Sequence, residues 1–418
     1  MRRLKWLYPG MLIKRWIFLS VFGIIMISMG FAIVISEPNP ENKSIAGLII
    51  IIGILCVIIA VKRIVKSLMT GLLPGTEQES AKNRLVEKIY EKRILEKGPK
   101  IVVVGGGTGL STLLMGLKQK TSNITAIVTV ADDGGSSGRL REEFDVLPPG
   151  DIRNCLVALS DSEDLLSALF QFRFTSGKEL QGHNFGNLFI TALSKVTGDF
   201  TRAIKESSKV LAIRGNVFPA TLQKVKLVAR RENGAETTGE SNIRDERESP
   251  IKELFLVPGD CKATKESVEA VQHADAIILG PGSLYTSVMP NLLINGIKEA
   301  IVKAKVPKIY ICNIMTEAGE TDDYSVSDHV RAILKHTEPD VVDHCITNTS
   351  RIPKSFYEKY KSEEKFPVQL TEKDERWFEQ EKIKLIKAHI AGIKEFVRHD
   401  SLKLSDVIMN ILSETKKK

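Results

Sequence analysis

Hydrophobic and polar positions divide the chain into three regimes. The first is a pair of uncharged apolar runs, residues 17–35 (IFLSVFGIIMISMGFAIVI) and 45–61 (IAGLIIIIGILCVIIAV). Each approaches the length a helix needs to cross a hydrocarbon core of about 30 Å. Neither shows the polar stripe of a helix packed on a soluble core, and the second run argues against a cleaved signal peptide. Together they predict a transmembrane helical hairpin within residues 1–66, turning through SEPNPENKS.

The second regime, residues 67–98, is a charged linker. Leu85, Ile89 and Ile94 recur at helical spacing within 76–97, which fits either a linker helix or a helix laid on the body through that stripe. The third regime runs from 99 to about 410, with a basic tail at 411–418. Short β-branched runs alternate there with helical patterns: IVVV (101–104), ITAIVTV (124–130), KVLAIR (209–214), KVKLVARR (224–231), ELFLV (253–257), AIILG (276–280), KIYIC (308–312) and VVDHCI (341–346). Such alternation predicts an α/β body with a Rossmann-like, doubly wound, mostly parallel sheet. Residues 232–250 read as an exposed loop or hairpin insertion, and the segment from about 370 as helical and amphipathic.

Charge sharpens the first regime. Residues 1–66 hold nine Lys or Arg against Glu37 and Glu41, which is nearly all of the chain's net charge of +8. Arg2, Arg3, Lys5, Lys14 and Arg15 precede the hairpin, and Lys62, Arg63 and Lys66 follow it. Positive flanks favour the cytoplasmic side, so the chain is expected in the cell membrane, multi-pass, with its large body in the cytoplasm. Trp6, Tyr8 and Trp16 suit the membrane interface. The nearly neutral body gives no reason to expect nucleic-acid binding. Five scattered cysteines, with no CxxC pair and no Cys/His cluster, fit a reducing compartment.

Sheets of this kind bind ligands beyond the carboxyl ends of their strands, so the residues there carry the functional reading. After 101–104 comes GGGTGLS. Gly105, Gly106, Gly107, Thr108 and Gly109 either cradle a phosphate at a helix start or make a tight structural turn. Leu110 occupies the third glycine position of the NAD fingerprint, and no GK[ST] follows, so neither that motif nor a Walker loop is matched. After 124–130 comes ADDGGSSGRLR. Asp132 and Asp133 suit a ribose hydroxyl or a divalent cation, and Ser136, Ser137 and Arg139 suit phosphate. Asp151, in PPGDIRNC, either caps a helix or joins Asn154 at the same ligand. His183, Asn184 and Asn187 cluster before an apolar helix. Gly280, Gly282 and Ser283 turn the chain after 276–280, and Asn313 follows 308–312 with an acidic loop beyond it.

GGGTGLSTLL, ADDGGSSGRLR with PPGDIRNCLVAL, GHNFGNLFI, GNVFPAT, AIILGPGSLYTSVMPNLL and ICNIMTEAGETD, in this order, closely resemble the YvcK-type gluconeogenesis factors. These belong to the superfamily of the 2-phospho-L-lactate transferase CofD, and the resemblance spans about residues 99–410. It implies a Rossmann-like fold that binds UDP-N-acetylglucosamine or UDP-glucose, with roles in cell shape, peptidoglycan synthesis and growth on gluconeogenic carbon sources. The transferase relatives use a divalent cation such as Mg²⁺, and Asp132 and Asp133 match the aspartates implicated there. The resemblance favours a nucleotide-sugar sensor without turnover, with a Mg²⁺-dependent phosphotransferase as the alternative. A homo-oligomer and a regulatory protein partner in cell-wall synthesis are the expected associations.

Overall fold

The structure is a computed structural model that describes residues 14–36, 39–72, 93–162, 164–393 and 395–415. The basic arm with Arg2, Arg3, Lys5, Trp6 and Tyr8, most of the expected 76–97 helix and residues 416–418 lie outside the described residues. Two compact units divide the chain, Met1–Lys92 and Arg93–Lys418.

The first unit contains two helices, Lys14–Ser36 and Pro40–Leu72. Both are long and apolar enough to cross a membrane. Proline opens the second helix, where its missing N–H costs nothing, and the Asn39 side chain accepts the Glu41 N–H at 3.2 Å. The connection is therefore shorter than SEPNPENKS, and the second helix runs past Val61 to Leu72. Small residues form the seam between the helices. Gly23 and Gly30 on one helix, and Ala46, Gly53 and Ala60 on the other, recur every seven residues and are buried. A Cβ on Gly23 would lie 2.7 Å from the Gly53 carbonyl oxygen. Phe18, Ile24, Ile25, Leu48 and Leu55 point outward and are exposed. Close backbone approach through small residues, with large apolar residues outside, is the packing that membranes favour.

The second unit is built on a seven-stranded parallel sheet in the order β10-β9-β8-β7-β1-β2-β3. Its strands are β1 (Ile101–Gly105), β2 (Ile124–Val128), β3 (Asn216–Pro219), β7 (Ala276–Leu279), β8 (Lys308–Ile311), β9 (His344–Asn348) and β10 (Lys384–Ala388). Every residue of β1, β7 and β8 is buried, as helices on both faces require. Chain order reverses between β1 and β7, which pair directly from Ile101↔Ala276 to Val104↔Leu279. This reversal is the topological switch point, where such sheets open a crevice.

Several elements differ from the sequence expectation. KVLAIR is not a strand. Its first residues end the Phe200–Val210 helix, and its apolar Leu211 is buried in the turn that follows. The strand comes next, as β3. KVKLVARR and ELFLV are strands, but outside the parallel sheet. β4 (Lys226–Arg231) pairs antiparallel with β5 (Glu236–Thr238) and β6 (Ile251–Val257). This small sheet is inserted between β3 and β7. The expected 232–250 loop supplies β5 and a short helix, Glu240–Asp245. In VVDHCI only the end is strand, because Pro339–Val341 forms a 3-10 turn.

Beyond 370 the chain is only partly helical. Between the helices Glu372–Gln380 and Ser401–Thr415 lie β10 and a hairpin of β11 (Ala391–Ile393) and β12 (Val397–His399). The Ser401–Thr415 helix reaches into the expected tail, with Ile411 and Leu412 buried. It packs on the Gly107–Leu117 helix so closely that a Cβ on Gly116 would lie 1.9 Å from the Ser401 carbonyl oxygen.

Candidate functional site

A cavity of about 540 Å³ opens at the switch point. One wall is the glycine turn. Gly106 is extended (φ −170°) and offers the Gly107–Leu117 helix no side-chain cap, while the Asp151 carboxyl accepts the Gly107 N–H. Gly107 has φ +66°, a conformation cheap only for glycine. Gly107, Thr108, Gly109 and Thr112 line the cavity, so first-turn N–H groups and the positive end of the helix dipole face it. The loop after β7 supplies Pro281, Gly282 and Ser283. The two loops touch through backbone: a Cβ on Gly109 would lie 2.6 Å from the Pro281 carbonyl oxygen. Behind them, the buried Asn291 amide donates to the Gly105 carbonyl at 3.3 Å.

A second wall is acidic. Asp132, Asp151 and Glu240 line the cavity. Burial, reinforced by the Asp132 charge, raises the Asp151 carboxyl to about 6. Burial also holds Glu240 well above the usual carboxylate range, with Asp132 and Asp151 adding to the shift against Arg244. Arg244 answers this charge. Its guanidinium donates to Glu240, to the Thr286 hydroxyl at 3.0 Å and to Glu320 at 3.3 Å. The Glu320 side chain is fully buried. It also accepts the Ser283 hydroxyl, the Thr286 hydroxyl at 3.0 Å and the Tyr285 N–H at 3.3 Å. One carboxylate thus ties the β7 loop to the inserted helix.

The third wall comes from the C-terminal half. Asn313, Ile314, Met315, Glu317, Lys365, Val397, Arg398 and His399 line it. Ile314, Met315 and Val397 belong to a small core of their own with Tyr360 and Ala391. Lys365 pairs with Glu317 at 3.2 Å, and the exposed Arg398 lies 5.2 Å from the Phe396 ring centroid.

Of the residues singled out from sequence, Gly107, Thr108, Gly109, Asp132, Asp151, Asn154, Gly282, Ser283 and Asn313 line this cavity. Gly105, Gly106 and Gly280 are not in the lining but adjoin it: a Cβ on Gly106 would lie 2.5 Å from Asp151 Oδ2, and one on Gly105 3.7 Å from the Gly280 Cα. The others lie outside the lining. Asp133 accepts both the N–H and the hydroxyl of Ser241 at 3.0 Å and so caps the inserted helix. Ser136 accepts the Asn184 N–H and the Asn187 amide, each at 3.2 Å, and is hydrogen-bonded to His183 Nδ1 at 3.2 Å. Ser137 is buried against Gly150. Arg139 donates to the Gln181 carbonyl at 2.9 Å. His183, Asn184 and Asn187 therefore brace the Phe185–Thr197 helix against the helix carrying Ser136. Among the described residues, no group of three or more His, Cys, Asp or Glu side chains stands in metal-holding geometry. Glu240, Arg244, Lys365, Arg398 and His399 were not singled out from sequence.

His329, buried, and His399, half-buried at the cavity wall, set a pH response. Burial lowers His329 and His399 to about 4 each. Because these folded values lie below the unfolded 6.5, protons favour the unfolded chain as pH falls from 6.5 towards 4. Asp151 acts in the opposite sense, since its raised value lets the folded state take up a proton below about 6. Glu240 and Glu317, also raised by burial, act with Asp151, so the histidine contribution is read by difference: the wild type should lose more stability between pH 7 and pH 5 than His329→Asn does. Denaturant titrations of both proteins at the two pH values measure it, and an equal loss in the two would count against a neutral His329.

Residues 101–391 match the family described as "2-phospho-L-lactate transferase CofD". A "Putative gluconeogenesis factor" of Clostridium acetobutylicum is 43% identical, over 100% of this chain and 93% of that protein. The "Gluconeogenesis factor" of Bacillus subtilis is 47% identical over 76% of this chain and 99% of its own length. A crystal structure of a Bacillus halodurans protein is 48% identical with a TM-score of 0.72, covering 75% of this chain and 100% of that one. The first match extends across the N-terminal helices, whereas the other two take in about three quarters of the chain. On the family match and these identities, the chain belongs to the 2-phospho-L-lactate transferase CofD family and is similar throughout to proteins named gluconeogenesis factor.

Proposed function

We propose that this protein is a membrane-tethered receptor for a UDP-sugar, UDP-N-acetylglucosamine or UDP-glucose. In this reading it regulates cell-wall synthesis, cell shape and growth on gluconeogenic carbon sources rather than turning substrate over. The observation that carries it is the glycine-rich helix start at Gly107, set at the switch point against the Gly282 loop. Backbone N–H groups at a helix start hold a diphosphate. The cavity of about 540 Å³ leaves room beyond it for a base and a sugar. The broken NAD fingerprint argues against a dinucleotide.

Membrane tethering is supported by the two apolar helices and by their ends. Arg15 and Arg63 lie 5.1 and 5.4 Å from the Trp16 ring centroid, a basic and aromatic collar of the kind found at the cytoplasmic interface. Mg²⁺ fits as an ion carried by the ligand. Asp132 and Asp151 supply oxygen donors, and the diphosphate would complete its shell. Asp133 lies outside the cavity lining and gives its Oδ1 to Ser241. The acidic wall also favours a second reading, a Mg²⁺-dependent phosphotransferase, in which the cation offsets charge on the transferring group.

Calorimetric titration of the chain with UDP-N-acetylglucosamine, UDP-glucose, GDP and NAD, each with and without Mg²⁺, tests both readings. Saturable UDP-sugar binding with no donor consumption is expected. NAD binding without UDP-sugar binding overturns the proposal, and metal-dependent consumption of the donor selects the transferase.

A further inference from the structure

Among the described residues, Glu240 alone both lines the cavity and keeps a buried polar side-chain atom, Oε2, without a hydrogen-bond partner. The residue is 7% exposed. Leaving a carboxylate oxygen buried and unanswered is costly, typically about 1–3 kcal/mol or more. Such an atom at the edge of a binding cavity invites a donor from outside the chain.

The orientation of this carboxyl is fixed from several directions. Arg244 holds its Oε1, and Arg244 is itself held by Glu320 and Thr286. The start of the Glu240–Asp245 helix is tied to Asp133 through Ser241. Near its other end, the Ile243 carbonyl accepts the buried Arg231 guanidinium at 2.8 Å. Oε2 is thus the free end of a rigid assembly. Its charged neighbours Asp132 and Asp151 offer it no donor. What suits the corner is a neutral group bearing O–H or N–H.

We infer that Glu240 is the recognition residue for the sugar, with its Oε2 accepting a hydroxyl or acylamino N–H of the group beyond the diphosphate. The inference rests on the UDP-sugar reading and adds a division of labour to it. The strand-end glycine loops hold the nucleotide diphosphate, which every UDP ligand shares. The inserted β4–β6 unit reads what distinguishes one UDP-sugar from UDP alone. A site built to bond a ligand's O–H or N–H discriminates strongly against the ligand lacking it.

The test is calorimetry on the full chain in detergent, using UDP, UDP-glucose and UDP-N-acetylglucosamine, in Mg²⁺ and in EDTA. The variants are Glu240→Leu, which removes the acceptor, and Glu240→Gln, which keeps shape and an acceptor oxygen. Thermal unfolding checks that each variant is folded. The wild type should bind a UDP-sugar more tightly than UDP. Glu240→Leu should erase that margin, roughly tenfold for one lost hydrogen bond, while UDP affinity stays within about threefold. Glu240→Gln should keep part of the margin in both buffers.

A margin unchanged in Glu240→Leu overturns the inference while leaving the UDP-sugar reading intact. A parallel fall for UDP reassigns Glu240 to holding Arg244, and a loss confined to Mg²⁺ buffer makes it a cation ligand. Wild-type protein that binds neither UDP nor a UDP-sugar overturns the underlying reading and this inference with it.

Discussion

If the proposed UDP-sugar site is right, replacing Gly109 with alanine weakens binding there by more than about 100-fold while the sheet stays folded. The added Cβ would lie 2.6 Å from the Pro281 carbonyl oxygen, 2.8 Å from its carbon and 3.0 Å from the Gly282 Cα. All three are backbone atoms, so no rotamer change relieves the contact. The glycine turn and the β7 loop must separate, and the crevice they form loses its shape. Overpacking of this kind costs about 1–3 kcal/mol, which a domain with this core absorbs. Gly259→Ala serves as the control, since its Cβ would meet the Leu256 carbonyl at an ordinary 3.6 Å. Titration with a UDP-sugar and a thermal melt for each variant decide the matter. An unchanged Kd for Gly109→Ala would mean that the ligand sits elsewhere.

Arg244→Met is expected to be the most destabilising single change at the site. It strips a cation from Glu240 and from Glu320, whose side chain has no solvent exposure. Breaking a buried pair from one side costs about 3–5 kcal/mol. Arg244 itself is 47% exposed, which brings the expected loss to about 2–3 kcal/mol. Adding Glu320→Gln should restore part of it, because the remaining partners Ser283, Thr286 and Tyr285 all donate. The two substitutions should therefore be clearly non-additive. Denaturation midpoints for both singles and the double measure this, and simple additivity would show that Arg244 does not serve the two acids jointly.

The central strands were legible because both faces of each are covered. IVVV and AIIL are apolar without interruption for that reason, as is KIYI after its Lys308. The glycine loops were legible because chain reversal at a strand end leaves few residue choices. β3 was missed because NVFP is short and ends in proline. β10, KLIKA, was missed because it is a partly exposed edge strand. KVLAIR misled because the buried side of a helix end carries the same residues as a strand. The site's acidic wall was hidden for a different reason. Glu240 and Arg244 sit in a polar stretch composed like a loop, and the pairing that lets Arg244 serve as a buried-site cation joins it to Glu320 across 76 residues. Spacing cannot reveal such a partner. Nor can composition tell which of two adjacent aspartates turns inward. Asp132 does, while Asp133 is claimed by Ser241.

The reversal of strand order has a consequence for how the protein is made. β1 lies at the middle of the sheet, yet only its neighbour β2 follows promptly in the chain. Its other neighbour, β7, is 175 positions away at the Ile101↔Ala276 pair. A ribosome adding roughly 5–20 residues per second delivers that partner many seconds later. Throughout that interval one edge of an entirely apolar strand stands open, the condition under which nascent chains pair with the wrong neighbour. Synthesis, rather than the finished fold, is the stage at which this protein most needs protection from its own copies.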